Sequence, residues 1–561
     1  MKQREDREKE GARLDTRLPQ SLTRRGFIGG ALATGALSLS GAALSACTPT
    51  AEAPMQADSQ AAQNSRGGFG RWSWDTPPSA IPDSQIAETY DCDICVVGAG
   101  VAGIPAALYA TEQGQDVVVL QKNAAIAVNG QAMGAWNHSF GTEKGIKWDT
   151  NLTVQLYANA SNGKANLKLV RNYIEHSGEA LDYLLSRITD PAPGFMVHAG
   201  PKGKEHIGCN WLLDGTYASR YAGFRKFNQN MADLAISLGA RFLFETPARQ
   251  LIKDSSGTVT GVIGENKSGQ YVRVNTVKGV ILCTGDVADD DEMLEAYFPI
   301  MRGRPTLHSS PCNTGDGLKM GLWIGAACDY APAGMQLHFD PSPLSPIAPP
   351  FSAAPWLHVN VRGERFTNEN QGYQALATAV TSQPEYRAFQ IIDTHYIEHI
   401  AEYTNGGRGG TTEQMEAAVE AGSVLKANTL DELAASAKLP VDVFKATVAR
   451  YNDMVVKGAD DDYGSEIIAL NGIKDPPFYA IERMPAILVA GLGLTCNEYG
   501  QVMSKEGSPI KGLYAAGNTM GSYYGYDYPV EGFGGTTIGH SITLGIMDVM
   551  HLLGTHGQKI E

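Results

Sequence analysis

Two short apolar runs flank a longer apolar stretch near residue 100. Ile94–Val97 is a continuous apolar run typical of a buried strand, and Val117–Leu120 is a second run of the same kind. The stretch between them is long enough for one helix and opens on the glycines of "GAGVAG". Strand, helix and strand in this order predict a parallel βαβ unit.

The pattern of hydrophobic and polar positions divides the rest of the chain into two flanking regions with strands and a different region between them. "VKGVILCTGD" (277–286) and "GSPIKGLYAAGN" (507–518) predict strands that return to the first unit. Between them, 336–474 begins with the proline-rich "DPSPLSPIAPPFSAAPW" and continues with helical patterns through Val380–Tyr451. We therefore predict an α/β fold in which an α+β capping domain at 336–474 interrupts a first domain at 88–335 and 475–561.

Composition and charge narrow the class of protein. The 561 residues are 43% hydrophobic and 19% charged, which is ordinary for a globular protein, and the length suggests more than one domain. The net charge of −15 argues against binding of nucleic acid. Beyond residue 50 there is no run of 18 apolar residues, so the sequence predicts no membrane-spanning segment there.

Residues 1–47 have the pattern of an export signal. Arg24 and Arg25 precede Phe27 and a mildly apolar stretch, which is the order of a twin-arginine signal. "LSAC" is similar to a bacterial lipobox, so Cys47 is a candidate lipid anchor. A charged helix followed by a glycine-rich linker is the alternative. The stretch 48–87 is predicted to be a flexible linker, because it is rich in Ala, Ser, Gln and Pro.

The eight cysteines do not predict a metal or haem site. Cys92 and Cys95 have the spacing of a CxxC pair, but they lie on a predicted strand, where residues three apart face opposite sides. The others are scattered singly, and the chain has no CxxCH motif. We interpret the cysteines other than Cys47 as structural residues and predict no bound metal.

The glycines after the first strand carry candidate chemistry. Gly98 permits a tight turn, Gly100 lets the backbone approach a pyrophosphate, and Gly103 allows the helix to pack closely on the strand. The helix N-terminus then faces the phosphates, so this GxGxxG predicts a dinucleotide site. The residue expected to bind the ribose diol is Gln121, where an acid would make a stronger hydrogen bond.

Three further segments indicate which dinucleotide is bound. "VKGVILCTGD", "NTGDGLKMGLWIGA" (313–326) and "GSPIKGLYAAGN" resemble the FAD-binding segments of the fumarate reductase/ketosteroid dehydrogenase flavoprotein family. The resemblance implies a Rossmann-like FAD-binding domain, a cap that closes over the substrate, and non-covalent FAD, since "NGQAMGAW" (129–136) contains no histidine. The residues it implies for FAD binding are Gly98, Ala99, Gly100, Gly103, Gln121, Lys122, Asn129, Gly130, Gly134, Ala135, Ala248, Thr284, Gly285, Asp316, Gly517, Asn518, Gly535, Thr537 and Ile538.

The same resemblance places two segments beside the flavin ring. "NGQAMGAW" would run along the isoalloxazine. The helix that begins near Gly535–Ile538 would point its positive end at the N1/O2 edge, which stabilises an anionic reduced flavin.

The predicted substrate site lacks the cations that a dicarboxylate requires. Fumarate reductases of this family have a histidine pair where this chain has Leu488 and Val489, and arginines where it has Gly372 and Gly532. Burying two carboxylates without partners would cost on the order of several kcal/mol each. The sequence therefore argues against dicarboxylate chemistry.

The late motif is instead similar to that of the 3-ketosteroid dehydrogenases. "YPVEG" (528–532) precedes "TIG" (537–539), and the resemblance implies that the Tyr528 hydroxyl and the Gly532 N–H bind a carbonyl oxygen. Two extra residues before the helix leave Gly534 and Gly535 as alternative donors. The resemblance also implies a catalytic tyrosine four residues after the Glu of "RFTNE", which is Tyr373. Other candidates for the working groups are Tyr523, Tyr524, Tyr526, His338 and Glu531.

These residues fit hydride transfer between a flavin and an activated alkene. We predict an exported FAD-dependent ene-reductase that acts on a neutral enone or unsaturated lactone, steroid-like or plant-phenolic. Outside the cytoplasmic membrane no soluble NAD(P)H is available, so a separate membrane-anchored cytochrome or quinol-linked partner is expected to supply the electrons. The expected location is the outer face of that membrane, with a lipid anchor at Cys47.

Three alternatives stay open at this point. The first is a 3-ketosteroid dehydrogenase that introduces the C=C bond with the same residues. The second is a flavin subunit that transfers electrons without turnover of its own. The third is an unsaturated-acid reductase of the cinnamate or urocanate type, for which Arg362 or Arg387 would have to bind the carboxylate.

Overall fold

The structure is a computed structural model that describes most of the chain beyond the predicted signal and linker. The described residues are 71–192, 194–198, 208–212, 217–307, 312–329, 334–338, 351, 354–400, 410–466, 472–525, 528 and 533–561. All of them belong to one compact unit, Phe69–Glu561.

The described part of the chain contains both strands and helices throughout. The strands are β1 Ile86–Val97, β2 Val117–Leu120, β3 Ala132–Ala135, β4 Gly194–His198, β5 Gly208–Leu212, β6 Arg241–Leu243, β7 Ala248–Lys253, β8 Val259–Glu265, β9 Tyr271–Leu282, β10 Gly334–His338, β11 Leu357–Asn360, β12 Ala388–Ile392, β13 Val424–Ala427, β14 Phe478–Arg483, β15 Ala486–Gly491, β16 Gln501–Met503 and β17 Pro509–Ala515. The α-helices are α1 Gly103–Glu112, α2 Ser139–Glu143, α3 Thr150–Ala160, α4 Leu167–Arg187, α5 Tyr217–Ser237, α6 Asp291–Tyr297, α7 Asp316–Trp323, α8 Tyr373–Thr381, α9 Tyr396–Ile400, α10 Thr412–Glu420, α11 Leu430–Ser436, α12 Val441–Lys457 and α13 Thr536–Leu552.

The central sheet contains the predicted βαβ unit. Its strand order is β16-β17-β9-β1-β2-β6, and β8 adds to β9 and pairs with β7. The pairs β17–β9, β9–β1, β1–β2 and β2–β6 are all parallel. Ile94–Val97 are buried because the sheet is covered on both faces, as their continuous apolar run predicted. The α/β fold predicted from the sequence is therefore confirmed.

The last helix, α13, lies against this sheet and touches its first turn. Buried positions occur all round α13, including Ile538, Ile542, Ile546 and Val549. A Cβ at Gly545 would be 2.7 Å from the carbonyl oxygen of Ala102, so α13 approaches the start of α1 closely. The C-terminal segment thus returns to the turn between β1 and α1.

A second sheet forms the cap. It has the antiparallel order β11-β12-β14-β13, and a separate apolar core that includes Leu357, Phe389 and Phe444 lies beneath it. Its strand β14 comes from Phe478–Arg483, beyond the boundary at 474 that the sequence suggested. Strand β10 pairs with β15 and connects the two parts of the chain.

The described end of the predicted linker is packed against the protein. Trp74 is 4% exposed, its ring stacks on that of Trp72 at 5.4 Å, and its carbonyl oxygen accepts a hydrogen bond from the indole of Trp323. Residues from 71 onward therefore belong to the folded unit. None of the described helices is long and apolar enough to cross a membrane.

Candidate active site

The turn between β1 and α1 is closed so tightly that only glycine fits its key positions. Gly98 has φ +112°, and a Cβ there would be 2.3 Å from the carbonyl oxygen of Cys283, which directly follows the neighbouring β9 strand. A Cβ at Gly103 would be 1.9 Å from the carbonyl oxygen of Gly98. These are the contacts expected when a turn lets its backbone N–H groups approach a phosphate.

Gln121 stabilises this turn from the end of β2. Its Oε1 accepts a hydrogen bond from the Ala99 N–H at 3.2 Å, and its Nε2 donates to the Ala125 carbonyl oxygen at 2.9 Å. The side chain is 4% exposed. In the structure the Gln121 amide hydrogen-bonds to the protein backbone and supports the shape of the turn. Its predicted role in binding the ribose stays a prediction.

Lys122 and Asp316 form an ion pair beside Gln121. The Lys122 Nζ lies 2.9 Å from Asp316 Oδ2 and donates to Thr314 Oγ1 at 2.8 Å. The pair joins the end of β2 to the first residue of α7. Ala248, another predicted contact, is buried at the start of β7, close to Thr246, whose N–H donates to the Gln121 carbonyl oxygen.

The ends of β9 and β17 bring four more predicted residues together. The Thr284 N–H donates to Thr519 Oγ1 at 2.8 Å, which joins the segment 284–285 to 517–519. Gly285 has φ +80°, and a Cβ there would be 2.5 Å from Asn313 Oδ1. Asn518 Nδ2 donates to Asp286 Oδ2 at 3.1 Å. These residues lie at the carboxyl ends of parallel strands, where such folds bind ligands.

Two predicted cofactor segments, 129–136 and 535–538, meet at the N-terminus of α13. The Gly134 N–H donates to the Gly535 carbonyl oxygen at 2.9 Å, and a Cβ at Gly130 would be 2.6 Å from Ile538 Cδ1. Gly535 caps α13 with φ +76°. Asn129 and Ala135 lie in the same segment as Gly130 and Gly134. The predicted isoalloxazine end of the site is therefore assembled from both ends of the chain.

Several buried polar atoms in these segments fit a flavin dinucleotide. Gln131 Oε1, Trp136 Nε1 and Asn518 Oδ1 are buried and have no hydrogen-bond partner among the described residues. The first backbone N–H groups of α13 also have no partner within the helix, because no helical carbonyl group precedes them. A ring with N–H and carbonyl groups and a chain with hydroxyls would satisfy such donors and acceptors, since buried polar groups are normally hydrogen-bonded.

Tyr528 reaches the same helix end. Its ring is buried, and its hydroxyl hydrogen-bonds to Thr537 Oγ1. The Tyr524 hydroxyl donates to the same oxygen at 3.2 Å, and the rings of Tyr524 and Tyr528 are 4.9 Å apart. One residue earlier, Tyr523 and Thr536 form a separate hydroxyl pair at 2.6 Å.

The groups described around these tyrosines include no charged imidazole. Burial raises the pKa of Tyr523 and Tyr524 well above the usual value of 10, so both remain protonated donors. His540 stacks on Tyr523 at 4.0 Å, and burial lowers its pKa to about 4. The imidazole is therefore uncharged at neutral pH and adds no cation to this part of the site.

On the cap side, α8 begins at Tyr373 and is attached to β10. Gln374 Oε1 accepts from the Leu337 N–H at 2.7 Å, and Gln374 Nε2 donates to the Met335 carbonyl oxygen at 2.8 Å. The loop before α8 is held by Arg365, which pairs with Glu369 and Asp460 in a buried network. The "RFTNE" motif thus fixes the start of α8, while the Tyr373 side chain lies outside the described residues.

Other predicted site residues also lie outside the described part of the chain. They are Gly532, Glu531 and Tyr526 in the late motif, the side chain of His338, and the export residues Arg24, Arg25 and Cys47. The roles predicted for them stay predictions.

The candidate carboxylate-binding arginines are both paired with acids. Arg362 lies 2.8 Å from Glu364, and Arg387 pairs with Glu385 at 2.8 Å and with Glu482. Leu488 and Val489, which replace the family's histidine pair, lie in β15 as apolar residues. The described residues thus give no support to these two arginines as substrate ligands.

Sequence reasoning missed several residues that hold the site together. Thr314, Thr519 and Gln374 make their contacts through side chains that no motif singled out. Thr314 lies inside the quoted segment 313–326, and Thr519 directly follows the predicted Asn518, so their places in or beside the cofactor segments were the available signal.

Comparison with known proteins identifies the cofactor. The family model described as FAD binding domain matches residues 93–534. A vinyl phenol reductase of Lactiplantibacillus plantarum is 28% identical over 85% of this chain and 99% of its own length. A urocanate reductase of Eggerthella lenta is 25% identical over 81% of this chain and 73% of its own length. A 3-oxosteroid 1-dehydrogenase of Mycobacterium tuberculosis is 23% identical over 83% of this chain and 99% of its own length.

A solved structure supports the same fold. The open conformation of a flavocytochrome c3 fumarate reductase aligns with 87% of this chain and 83% of its own, with a TM-score of 0.67 at 22% identity. The cofactor is FAD, and the chain is an oxidoreductase that acts on C=C or CH–CH bonds, as its relatives are. The predicted family, cofactor and enzyme class are confirmed.

Proposed function

Because the chain belongs to the FAD binding domain family, we propose that it is an ene-reductase for a neutral substrate whose C=C bond is conjugated to an oxygen. The observation that carries the proposal is the convergence of Tyr524 and Tyr528 on Thr537, at the first turn of α13. This arrangement offers neutral hydroxyl donors, which suit an oxygen that becomes enolate-like.

The residues of this chain have separate roles in the reaction. When bound and reduced by two electrons, FAD would supply the hydride that an enone accepts at its β-carbon. The Tyr528 hydroxyl donates a hydrogen bond to the substrate oxygen as charge develops on it, which is worth several kcal/mol in a dry site, on the order of the value of one oxyanion donor. Tyr373 donates a proton to the α-carbon, and solvent restores that proton. The product carries two more hydrogens than the substrate.

A neutral substrate agrees with the charges around the site. Arg362 and Arg387 are engaged by carboxylates, and His540 is uncharged. A carboxylate substrate buried beside Tyr523 and Tyr524 would meet hydroxyls but no cation from these residues. The urocanate type of reaction is therefore a weaker candidate.

The likeness to a vinyl phenol reductase favours a phenolic substrate in the reducing direction. That relative matches over nearly its whole length. In a vinylphenol the phenol oxygen is conjugated to the alkene through the ring. Proton transfer from the phenol to solvent and protonation of the terminal alkene carbon would give a quinone methide. Hydride would then add to the benzylic carbon, and the ring oxygen would become a phenolate that neutral hydroxyl donors stabilise. A dehydrogenase that introduces the C=C bond would use the same residues in the opposite direction.

The electron supply and the location belong to the same proposal. The twin-arginine pattern and Cys47 support export and a lipid anchor on the outer face of the cytoplasmic membrane. A membrane-anchored cytochrome or a quinol-linked donor would then reduce the flavin, because soluble NAD(P)H is not present there.

The test is an anaerobic assay of the purified FAD protein with reduced methyl viologen as donor. Cyclohexenone, 4-vinylphenol, urocanate and fumarate are compared, and a saturated 3-ketosteroid is offered with an oxidised quinone in parallel. Viologen oxidation with cyclohexenone or 4-vinylphenol, and none with the two acids, is the expected result. Turnover confined to the acids, or to the ketosteroid with quinone, would overturn the proposal.

A further inference from the structure

Thr537 connects two tyrosine hydroxyls through its own hydroxyl oxygen. Tyr524 donates to Thr537 Oγ1 at 3.2 Å, and the Tyr528 hydroxyl hydrogen-bonds to the same oxygen. Both tyrosine rings are at most 5% exposed. We call Tyr524, Thr537 and Tyr528 the hydroxyl chain.

The hydrogen bonds of Thr537 allow the hydroxyl chain to run from Tyr524 to Tyr528. A threonine hydroxyl has one proton and can accept two hydrogen bonds. Because Thr537 already accepts from Tyr524, its own proton can be donated to the phenol oxygen of Tyr528. In that order, Tyr524 to Thr537 to Tyr528, the Tyr528 proton points onward to a substrate oxygen.

The environment favours such a chain over proton loss. Burial holds the pKa of Tyr524 well above 10, and the nearby carboxylate of Asp286 acts in the same direction. Tyr523 and the neutral His540 pack on the other side of Tyr524. Hydrogen bonds that follow one another in a dry site polarise each other, so a donor at the far end strengthens the bond at the near end.

We infer that Thr537 is a positioning residue that orients the Tyr528 hydroxyl and strengthens its hydrogen bond to the substrate oxygen, with Tyr524 as the far donor. This inference rests on the proposed function of Tyr528 as the donor to the substrate. It assigns the side chain of Thr537 to the substrate site, whereas the sequence placed this residue only among the FAD contacts.

The experiment compares Thr537→Val with Thr536→Val, which removes the hydroxyl that bonds to Tyr523 one residue earlier. Turnover of cyclohexenone or 4-vinylphenol, whichever is faster, is measured with reduced viologen. Affinity for 4-chlorophenol, whose phenolate mimics the charged intermediate, is measured by flavin charge-transfer absorbance. Thr537→Val should lose about tenfold in both quantities, the order expected for one neutral hydrogen bond. Thr537→Ser should restore most of the loss, and Thr536→Val should stay within a few-fold of wild type.

A double-mutant cycle with Tyr528→Phe separates this role from a general packing effect. Thr537→Val should cost little in the Tyr528→Phe background, because the hydroxyl that it orients is already absent. An equal cost in both backgrounds, or a defect that Thr537→Ser does not restore, would overturn the inference. If Tyr528→Phe itself turns over at the wild-type rate, the proposed function fails instead, and the two failures are distinguishable.

Discussion

Gly134 donates its backbone N–H to the carbonyl oxygen of Gly535 at 2.9 Å, and this bond joins β3 to the residue that caps α13. A Cβ at Gly134 would be 2.7 Å from the carbonyl oxygen of Gly534. The distance between the "NGQAMGAW" segment and the positive end of α13 is therefore set by the absence of a side chain.

Replacement of Gly134 by alanine should weaken FAD binding. The added methyl group meets backbone atoms that cannot move aside cheaply, so the start of α13 should shift away from β3. We expect at least tenfold weaker FAD binding, measured by flavin fluorescence after reconstitution of the apoprotein. Gly472→Ala is the control, because its Cβ would meet only the flexible side chain of Lys474. Equal FAD content in both variants would contradict the prediction.

Tyr528→Phe and Tyr373→Phe should fail in different ways. Loss of the Tyr528 donor should lower turnover about 10²–10³-fold and weaken binding of 4-chlorophenol. Loss of the Tyr373 hydroxyl should lower turnover about 10²–10⁴-fold while phenol binding stays near wild type. Both proteins should keep a full complement of FAD. Wild-type rates in both variants would show that the carbonyl site is misassigned.

Stability should fall in acid because of His540. Burial lowers the pKa of its imidazole from 6.5 to about 4, so the folded state keeps it neutral. The contribution of the neutral imidazole to the free energy of unfolding is complete above pH 6.5. It is lost as the pH falls towards 4, because the unfolded chain takes up the proton and the folded protein does not. By pH 5 the loss is about 2 kcal/mol. Thermal unfolding at pH 7.5 and pH 5 should show a smaller decrease in midpoint for His540→Gln than for wild type; identical decreases would exclude this origin.

The buried pairs of Arg365 should dominate the stability of the cap. Arg365 and its partners Glu369 and Asp460 are at most 5% exposed, so Arg365→Met leaves two carboxylates without their cation. Removal of one partner from a buried pair typically costs about 3–5 kcal/mol. Limited proteolysis should cut the cap of this variant faster, and the unfolding midpoint should fall. Arg450→Met, which removes an exposed pair with Asp462, is the control and should behave like wild type.

The export signal can be tested independently of the enzyme. Lys-Lys in place of Arg24 and Arg25 should retain the protein in the cytoplasm, because the twin-arginine pair is the recognised feature. Cys47→Ala should give an exported form that is released from the membrane. Fractionation and immunoblotting measure both outcomes. A Cys47→Ala protein that stays membrane-bound would show that the lipobox interpretation is wrong.

The amino-acid sequence by itself determined the local elements, namely the strands, turns and helices that depend on residues close to one another in the sequence. The run Ile94–Val97 followed by Gly98, Gly100 and Gly103 predicts strand, turn and helix, because periodicity and glycine conformation act within a few residues. The same holds for the FAD segments, whose turns are recognisable one at a time. The structure confirms these elements and brings the segments together.

Only the tertiary structure decided which atoms the polar side chains contact. Gln121 hydrogen-bonds to the Ala99 N–H, and Thr537 joins Tyr524 to Tyr528. Strand β14 pairs within the cap sheet although it follows the predicted boundary. Thr284 and Thr519, which are 235 residues apart, meet because two strands end side by side. Such contacts follow from how packed elements are placed, and a local pattern of hydrophobic and polar residues does not contain that information.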